Sequence, residues 1–378
     1  MRTGSIRVAE ISVSAIKHNV ARVRELTGGA VIVVVKADGY GHGAAIAAQA
    51  ALAGGATMIA TADLEEALCL REQGIAGPIL CWLHGARVDF TEAVRADIEI
   101  GVSYLQQLEA VAVAAEATGK VATVQFKLDT GLSRNGAAPS EWSALFARAA
   151  ELVRDGRIHV RGIFSHLANA GDENDRAQAA RFDEGVEMLR GVGIDPEMIH
   201  LAASAATLTS PHLHYNTVRV GIVAYGLSPF ADKTSAHFGL IPAMALRSEI
   251  VALRGVPAGA GVSYGFNHVC ETATTLALVP IGYADGMPRA LNGAGAWVSI
   301  AGEPRPIVGR IGMDQFIVDV GPLAGRLQLG DPVVLFGDPA KGYPPVEIWA
   351  GLMRTINYEI IVGIGPRVQR RPVDGSAV

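Results

Sequence analysis

Residues 31–62 read VIVVVKADGYGHGAAIAAQAALAGGATMIATA. The stretch opens on a β-branched run, VIVVVKA (31–37), and closes on another short run, MIATA (58–62). Between them lies an alanine-rich segment that suits a buried helix and a turn at Gly54-Gly55. Residues 44–62 carry no charge, but Ala, Gly and Thr are poor membrane formers beside Leu and Ile, and the paired glycines interrupt the segment. A strand, a helix and a second strand therefore explain it better than a membrane span. That unit predicts two parallel strands joined by a crossover helix.

The same alternation continues. Further candidate strands are PILCW (78–82), EIGVS (99–103), TVQFKLDT (123–130), VRGIFSH (160–166), MIHLAA (198–203) and TVRVGIVAYG (217–226). Segments with helical spacing, such as DLEEALCLREQG and DRAQAARFDEGVEMLRGVG, separate most of them. Eight such strands match the size and count of an α/β fold of the (β/α)8 TIM-barrel type. An open doubly wound sheet is the competing arrangement, and the absence of G-x-G-x-x-G after the first strand counts against it.

After about residue 235 the texture changes. TATTLALVPIGYA, AWVSIAGEPRPIVGRIGMDQFIVDV and DPVVLFG are rich in Val, Ile, Gly and Pro and show little helical periodicity. We expect a barrel over residues 1–235, with the first ten or so residues packing on a second, mainly β domain over 236–378. Turns are predicted at Pro304–Pro306 and Gly330–Asp331, and a short closing helix in EIWAGLMRTIN. The net charge of −5 over 378 residues gives no electrostatic footprint for nucleic acid. Cys69, Cys81 and Cys270 show no metal-ligand or disulfide spacing, so no metal is expected and a reducing compartment is the simpler reading. With no apolar signal segment in MRTGSIRVAEIS, a cytoplasmic location and no membrane partner are expected.

GVSYG (261–265) fits the G-x-S-x-G pattern of a nucleophile elbow. The required order of Ser, acid and His cannot be built on it. The last histidine is His268, and no carboxylate lies between it and Ser263. The flanks are β-like where the elbow needs strand, turn and helix.

Barrel catalysis sits at the C-terminal ends of strands, so those ends form a candidate site. The first presents Lys36, Tyr40 and His42, and the fifth Lys127, Asp129 and Arg134. The sixth presents His166, the seventh Ser204, and the eighth Arg219 and Gly221. Lys36 ends an apolar strand, where low dielectric lowers an amine pKa and favours the neutral form needed for Schiff-base chemistry. The loops after strands seven and eight commonly hold phosphate. An imine-forming lysine beside a phosphate site suggests pyridoxal phosphate (PLP), although Schiff-base aldolases on this fold would look alike.

VKADGYGHG resembles the PLP-attachment segment of the alanine racemase family. KLDTGLSRNG, IFSHLANA, HLAASAA, VRVGIVAYG, GVSYG, PIGYADGMPR, GRIGMDQ and TINYEI resemble its other segments, in the same order and over nearly the whole chain. The resemblance implies an amino-acid racemase of fold type III, an isomerase. It would interconvert L- and D-alanine, making D-alanine for peptidoglycan or degrading it. Lys36 would carry PLP and act as one acid/base. Tyr264, supplied by the second domain of a partner subunit, would be the other, so the active sites would be shared across a homodimer. His166, Arg219 and Asp314 would support catalysis, with Arg219 on the pyridine nitrogen, where like charge disfavours protonation. Tyr40, Ser204, Gly221, Ile222 and Tyr358 would hold the phosphate. Arg134 and the N–H of Met313 would bind the substrate carboxylate. Tyr283, Arg289 and Arg310 would line the entrance with Asp314, and Lys127 matches a lysine that is carbamylated in some members.

Gly312 stands where the family often has Cys, Ala203 where it frequently has Asn, and Val220 where Pro is common. None is a catalytic group, so these departures bear on substrate breadth and leave open racemisation of serine. PLP-dependent decarboxylases share the architecture but usually carry a Gly-rich phosphate loop. Single-barrel PLP carriers lack a second domain.

Overall fold

The structure, a computed structural model, describes residues 5–374. The chain divides into two compact units. One consists of Ile16–Gly39 and Ala47–Leu240; the other takes the residues through Ala15, Tyr40–Ile46 and the chain from Ile241 onward.

The first unit is a nearly closed barrel of eight parallel strands wrapped by helices. In hydrogen-bonded order they are Met198–His200, Ile158–Phe164, Ala122–Lys127, Ile98–Val102, Ile79–Cys81, Met58–Thr61, Ala30–Val34 and Thr217–Val220. All seven ladders are parallel. At the seam between the two end strands, Arg219 N–H donates to Ala202 O at 3.0 Å. Burial on both faces explains why these strands read as continuous apolar runs. Ile32, Ile59, Leu80, Ile100, Val124, Phe126 and Ile163 are each fully buried. The uncharged stretch over 44–62 is the helix Ala44–Ala53, a turn and the strand Met58–Thr61.

Every candidate strand is present, but several are shorter than expected. The seventh ends at His200 and the eighth at Val220, because the chain then turns into the helix Ser204–Thr209 and the 3-10 turn Ile222–Tyr225.

The second unit is mainly β. Its nine-stranded sheet runs from Ala252–Val256 through Thr274–Val279, Phe316–Asp319, Glu303–Val308, Trp297–Ile300, Pro332–Phe336 and Met244–Glu249 to Val8–Ser12 and Gln369–Val373. The closing helical segment is two helices, Val346–Met353 and Asn357–Val362. Pro304–Pro306 is not a turn. Both prolines lie inside the strand Glu303–Val308, paired with Ser299 and Trp297, and the reversal occurs at Ala301–Gly302. Spaced by two, the prolines direct their missing N–H groups to the same edge. The neighbouring strand on that side pairs only with Ile307 and Val308, so no ladder bond is lost.

The N-terminal rim of the barrel is tied by Arg71, on the helix Leu64–Glu72. Its guanidinium donates to four carbonyls: Ala96 O at 2.9 Å, Ile75 O at 2.5 Å, Gly77 O at 2.7 Å and Asp97 O at 3.0 Å. A planar five-donor group can serve two loops at once, whereas an ammonium has three donors on one atom. Arg71→Met should lower unfolding stability by on the order of 3 kcal/mol, and Arg71→Lys by less. Chemical denaturation measures both, and an unchanged Arg71→Met would refute this role.

Candidate active site

Lys36 follows the first barrel strand directly. The backbone then enters a left-handed stretch: Ala37, Asp38 and Tyr40 all have φ of 53°, with Gly39 at 63° between them. L-residues disfavour this conformation by roughly 1–2 kcal/mol each, so the surroundings must hold it. Glu66 is one holder. Its carboxylate accepts from Ala37 N–H at 2.6 Å and from Ala62 N–H at 2.9 Å. The His42 ring turns back on this loop, its Nδ1–H donating to Tyr40 O at 3.0 Å.

Lys36 and Lys127 sit in a positive field. Burial, then Arg134 and Arg219, pull the Lys36 amine below its ordinary value against the opposing pull of Glu66. Lys127, at the end of its strand, is lowered to about 8 by burial and by Arg219, Arg134 and Lys36. Arg134 itself is exposed, on a loop closed at its base by Asp129 N–H to Ala137 O at 3.0 Å and Ala137 N–H to Lys127 O at 2.8 Å. The Asp129 carboxylate tightens that loop by accepting from Gly131 and Ser133 N–H.

Arg219 is only 5 % exposed. It donates to Ser165 O at 2.9 Å, to His166 Nδ1 at 2.8 Å and to His200 Nδ1 at 3.0 Å. A guanidinium has no acceptor, so both imidazoles must accept at Nδ1 and carry their proton on Nε2. His166 is held neutral, its pKa lowered to about 2 by burial and then by Arg219. His200 is fully buried and lowered for the same reasons. Nearby, Gly221 N–H donates to Ser204 Oγ at 3.1 Å, leaving the hydroxyl hydrogen to be donated elsewhere.

In the second unit, Tyr264 occupies the tip of a hairpin between Gly261–Val262 and His268–Val269 and is 71 % exposed. Its neighbour Ser263 has φ of 59° and donates Oγ–H to Arg310 O at 2.7 Å. The hydroxyl is thus committed to a backbone carbonyl. Gly265 has φ of 69°, a left-handed turn that favours glycine, and it lies beside the Arg310 guanidinium. The loops carrying Tyr283 and Met313 are laced together by Tyr283 N–H to Gly312 O at 3.1 Å and Ala284 N–H to Met313 O at 2.9 Å. Gly282 permits this, because a Cβ at that position would fall 2.4 Å from the Met313 carbonyl. Asp314 pairs with Arg367 at 2.8 Å, and buried Asp285 pairs with both Arg7 and Arg367. Arg289 is exposed. Tyr40 and Tyr358 face each other with ring centroids 6.2 Å apart, and burial raises the Tyr358 phenol to about 12.

Lys36, Lys127, Asp129, Arg134, His166, Ser204, Arg219, Gly221 and Ile222 therefore share the barrel unit, and the other candidates lie in the second. Glu66, His200, Asp285 and Arg367 escaped the reading of strand ends. His200 carried a signal, a histidine ending an apolar strand; the others act through backbone or charge partners distant in sequence.

Loss of the charge at Arg134 should move the Lys36 amine back toward its ordinary value. Trace reductive alkylation over a pH series, read by peptide mass spectrometry on protein stripped of bound aldehydes, follows it. Lys36 should react from a lower pH than exposed Lys341, and Arg134→Gln should move its profile upward. Coincident profiles for the two lysines in the parent would contradict the assigned field.

Comparison with known proteins adds the following. The family described as "Alanine racemase, N-terminal domain" matches residues 11–229, and "Alanine racemase, C-terminal domain" matches residues 243–372. The alanine racemase of Mycolicibacterium smegmatis is 46% identical over 364 residues, covering 95% of this chain and 93% of that protein. That of Salinispora arenicola is 43% identical over 371 residues, with 97% and 98% covered. The solved structure of alanine racemase from Streptomyces lavendulae superposes with a TM-score of 0.93 at 43% identity, covering 99% of this chain and 98% of that one. With both of its domains matched in order and at this identity, the chain belongs to the alanine racemase family of isomerases.

Proposed function

We propose that the protein interconverts L-alanine and D-alanine with PLP, using Lys36 and Tyr264 on opposite faces of the substrate carbon. The observation that carries this reading is the Lys36 amine. It stands at the end of a barrel strand, where burial and two guanidiniums disfavour its charged form. A neutral amine is what attack on a carbonyl requires.

The residues present fit the cofactor. Helical turns begin at Ser204 and Ile222, and the first N–H groups of such turns lack partners within their own helix, which suits a phosphate. Ser204 Oγ–H adds a donor, and Tyr40 and Tyr358 are assigned to the same group. Arg219, fixed by two imidazoles and a carbonyl, is assigned to the pyridine nitrogen. When bound, PLP delocalises the charge left on the substrate carbon once its proton departs.

The chain's own groups do the rest. Lys36 Nζ exchanges a proton on one face and Tyr264 Oη on the other, which inverts the carbon without either base having to relocate. His166 offers its Nε2–H from a ring that stays neutral. Arg134 and the Met313 N–H hold the substrate carboxylate, and Tyr283, Arg289, Arg310 and Asp314 line the way in. Supply of Tyr264 by a partner subunit is supported by its exposure, and by Phe266 at 67 %, Met313 at 54 % and Tyr283 at 42 %, an unusual set of exposed apolar side chains in one unit. No helix among the described residues is long and apolar enough to cross a membrane. We assign a homodimer acting in the cytoplasm, on alanine destined for peptidoglycan or for degradation. At Gly312 a side chain would touch the Tyr264 ring and Gln315 O, so glycine leaves room there for a substrate larger than alanine.

Chiral analysis with L-alanine and L-serine should give D-alanine at the higher specificity constant. Lys36→Ala and Tyr264→Phe should each be inactive alone. Mixed and allowed to exchange subunits, they should recover roughly a quarter of parental activity, because half of the dimers then hold one intact site. No recovery, with exchange shown to occur, would place both groups in one subunit.

Lys127, lowered to about 8, is partly neutral in mildly alkaline buffer, and the neutral amine is the form that adds CO2. Carbon NMR with labelled bicarbonate should show a carbamate signal that disappears in Lys127→Ala. A parent spectrum without it would refute the modification.

A further inference from the structure

Four buried polar residues cross the interior of the barrel, each on a different strand. Glu99, Gln125, His200 and Arg219 are 4 %, 0 %, 0 % and 5 % exposed. They are joined end to end. Gln125 Nε2 donates to Glu99 Oε2 at 2.6 Å, and His200 Nε2 meets Gln125 Oε1 at 2.8 Å. His200 Nδ1 accepts from Arg219 at 3.0 Å. At the outer end, the second oxygen of Glu99 pairs with Arg161, which is partly exposed and reaches toward Glu197.

The two ends decide the direction of every bond between them. A carboxylate only accepts and a guanidinium only donates. Gln125 must therefore turn its NH2 to Glu99 and its carbonyl to His200. The reversed amide would set oxygen against carboxylate and NH2 against N–H. His200 is then neutral, with its proton on Nε2, and Nδ1 is left to accept from Arg219. Burial raises the Glu99 carboxyl above its ordinary value while Gln125 and Arg161 oppose the shift, and the ionised form suits this arrangement because both of its oxygens face donors.

The fold makes room for this chain. The ladder between the fifth and sixth barrel strands shifts register at Val124/Gln125. Opposite Gln125 stands Gly162, where a Cβ would come within 2.7 Å of Gln125 Oε1. The Phe164 ring stacks on His200 at 4.8 Å and 8°, and it also lies under the Arg219 guanidinium at 5.4 Å. The His200–Arg219 link is thus restrained in plane as well as in distance.

We propose that Glu99 and Gln125 are positioning residues for Arg219. Glu99 orients the Gln125 amide, whose carbonyl accepts the His200 Nε2–H and so holds, through that ring, the place of the guanidinium on which His166 also depends. The catalytic consequence rests on the racemase reading above; the bond directions do not.

Nitrogen-15 NMR of histidine-labelled holoenzyme tests the chain, with His200 assigned by its loss in His200→Asn. The parent should show a protonated Nε2 and a bare, hydrogen-bonded Nδ1, unchanged from about pH 6 to about pH 9. Gln125→Met, which keeps volume and removes both bonds, should leave Nδ1 accepting from Arg219 but move the Nε2–H signals to those of an unbonded N–H. It should lower kcat by about tenfold or more while KM stays within about twofold. Glu99→Gln keeps the shape but allows both amide orientations, and should do the same to a smaller degree; it carries the test where Gln125→Met does not fold. A His200 Nε2–H signature retained in the folded variants, or its loss with parental kcat, would overturn the proposal. A parent that does not racemise alanine would sink the functional reading, while the nitrogen signals still decide the chain.

Discussion

A guanidinium buried inside a parallel barrel must be given acceptors, and Arg219 finds them in Ser165 O and the Nδ1 atoms of His166 and His200. Taking such a charge out of water costs several kcal/mol unless hydrogen bonds replace its hydration. Much of the site's electrostatics follows from meeting that demand. Two imidazoles that accept from a permanent cation cannot easily take up a second proton, so both stay neutral across the working range. The same charge reaches Lys36 and Lys127 and lowers both amines. One buried arginine thus adds to what burial does at four neighbours, disfavouring the charged form of each without touching all of them.

Backbone strain supplies the second constraint. Three non-glycine residues after Lys36 sit in left-handed space, a conformation that an isolated chain would abandon. Glu66 holds the first of them from the helix Leu64–Glu72, whose own start is capped by Asp63 accepting from Glu66 N–H. The lysine is therefore aimed by a neighbouring βα unit as well as by its own strand. In the second unit the corresponding device is Asp285, which accepts from Gly282 N–H at 2.9 Å and takes charge from Arg7 and Arg367. It anchors the loop on which Tyr283 stands and, through the laced backbone, the Met313 loop.

The serine of GVSYG shows how local chemistry can mislead and then inform. Its hydroxyl is spent on the Arg310 carbonyl, and that bond fixes the hairpin that presents Tyr264. The motif-like glycines on either side do separate tasks. Gly265 supplies a left-handed turn, and a Cβ at Gly261 would collide with the Phe266 ring.

The sequence by itself determined the barrel, because parallel strands buried on both faces must be apolar runs separated by helices, and that pattern is local. It also determined the family, through Lys36, Tyr264 and the segments around them, because those motifs lie in contiguous stretches. It misjudged Pro304–Pro306, since whether a proline breaks a strand depends on which edge its missing N–H faces, and that is a property of the sheet. Only the tertiary structure showed the line from Glu99 through Gln125 and His200 to Arg219. Its members come from four strands spread over more than a hundred residues, each a polar side chain in a largely apolar run. Their direction of hydrogen bonding is set by the carboxylate and the guanidinium at the two ends, and closure of the barrel is what brings those ends onto one line.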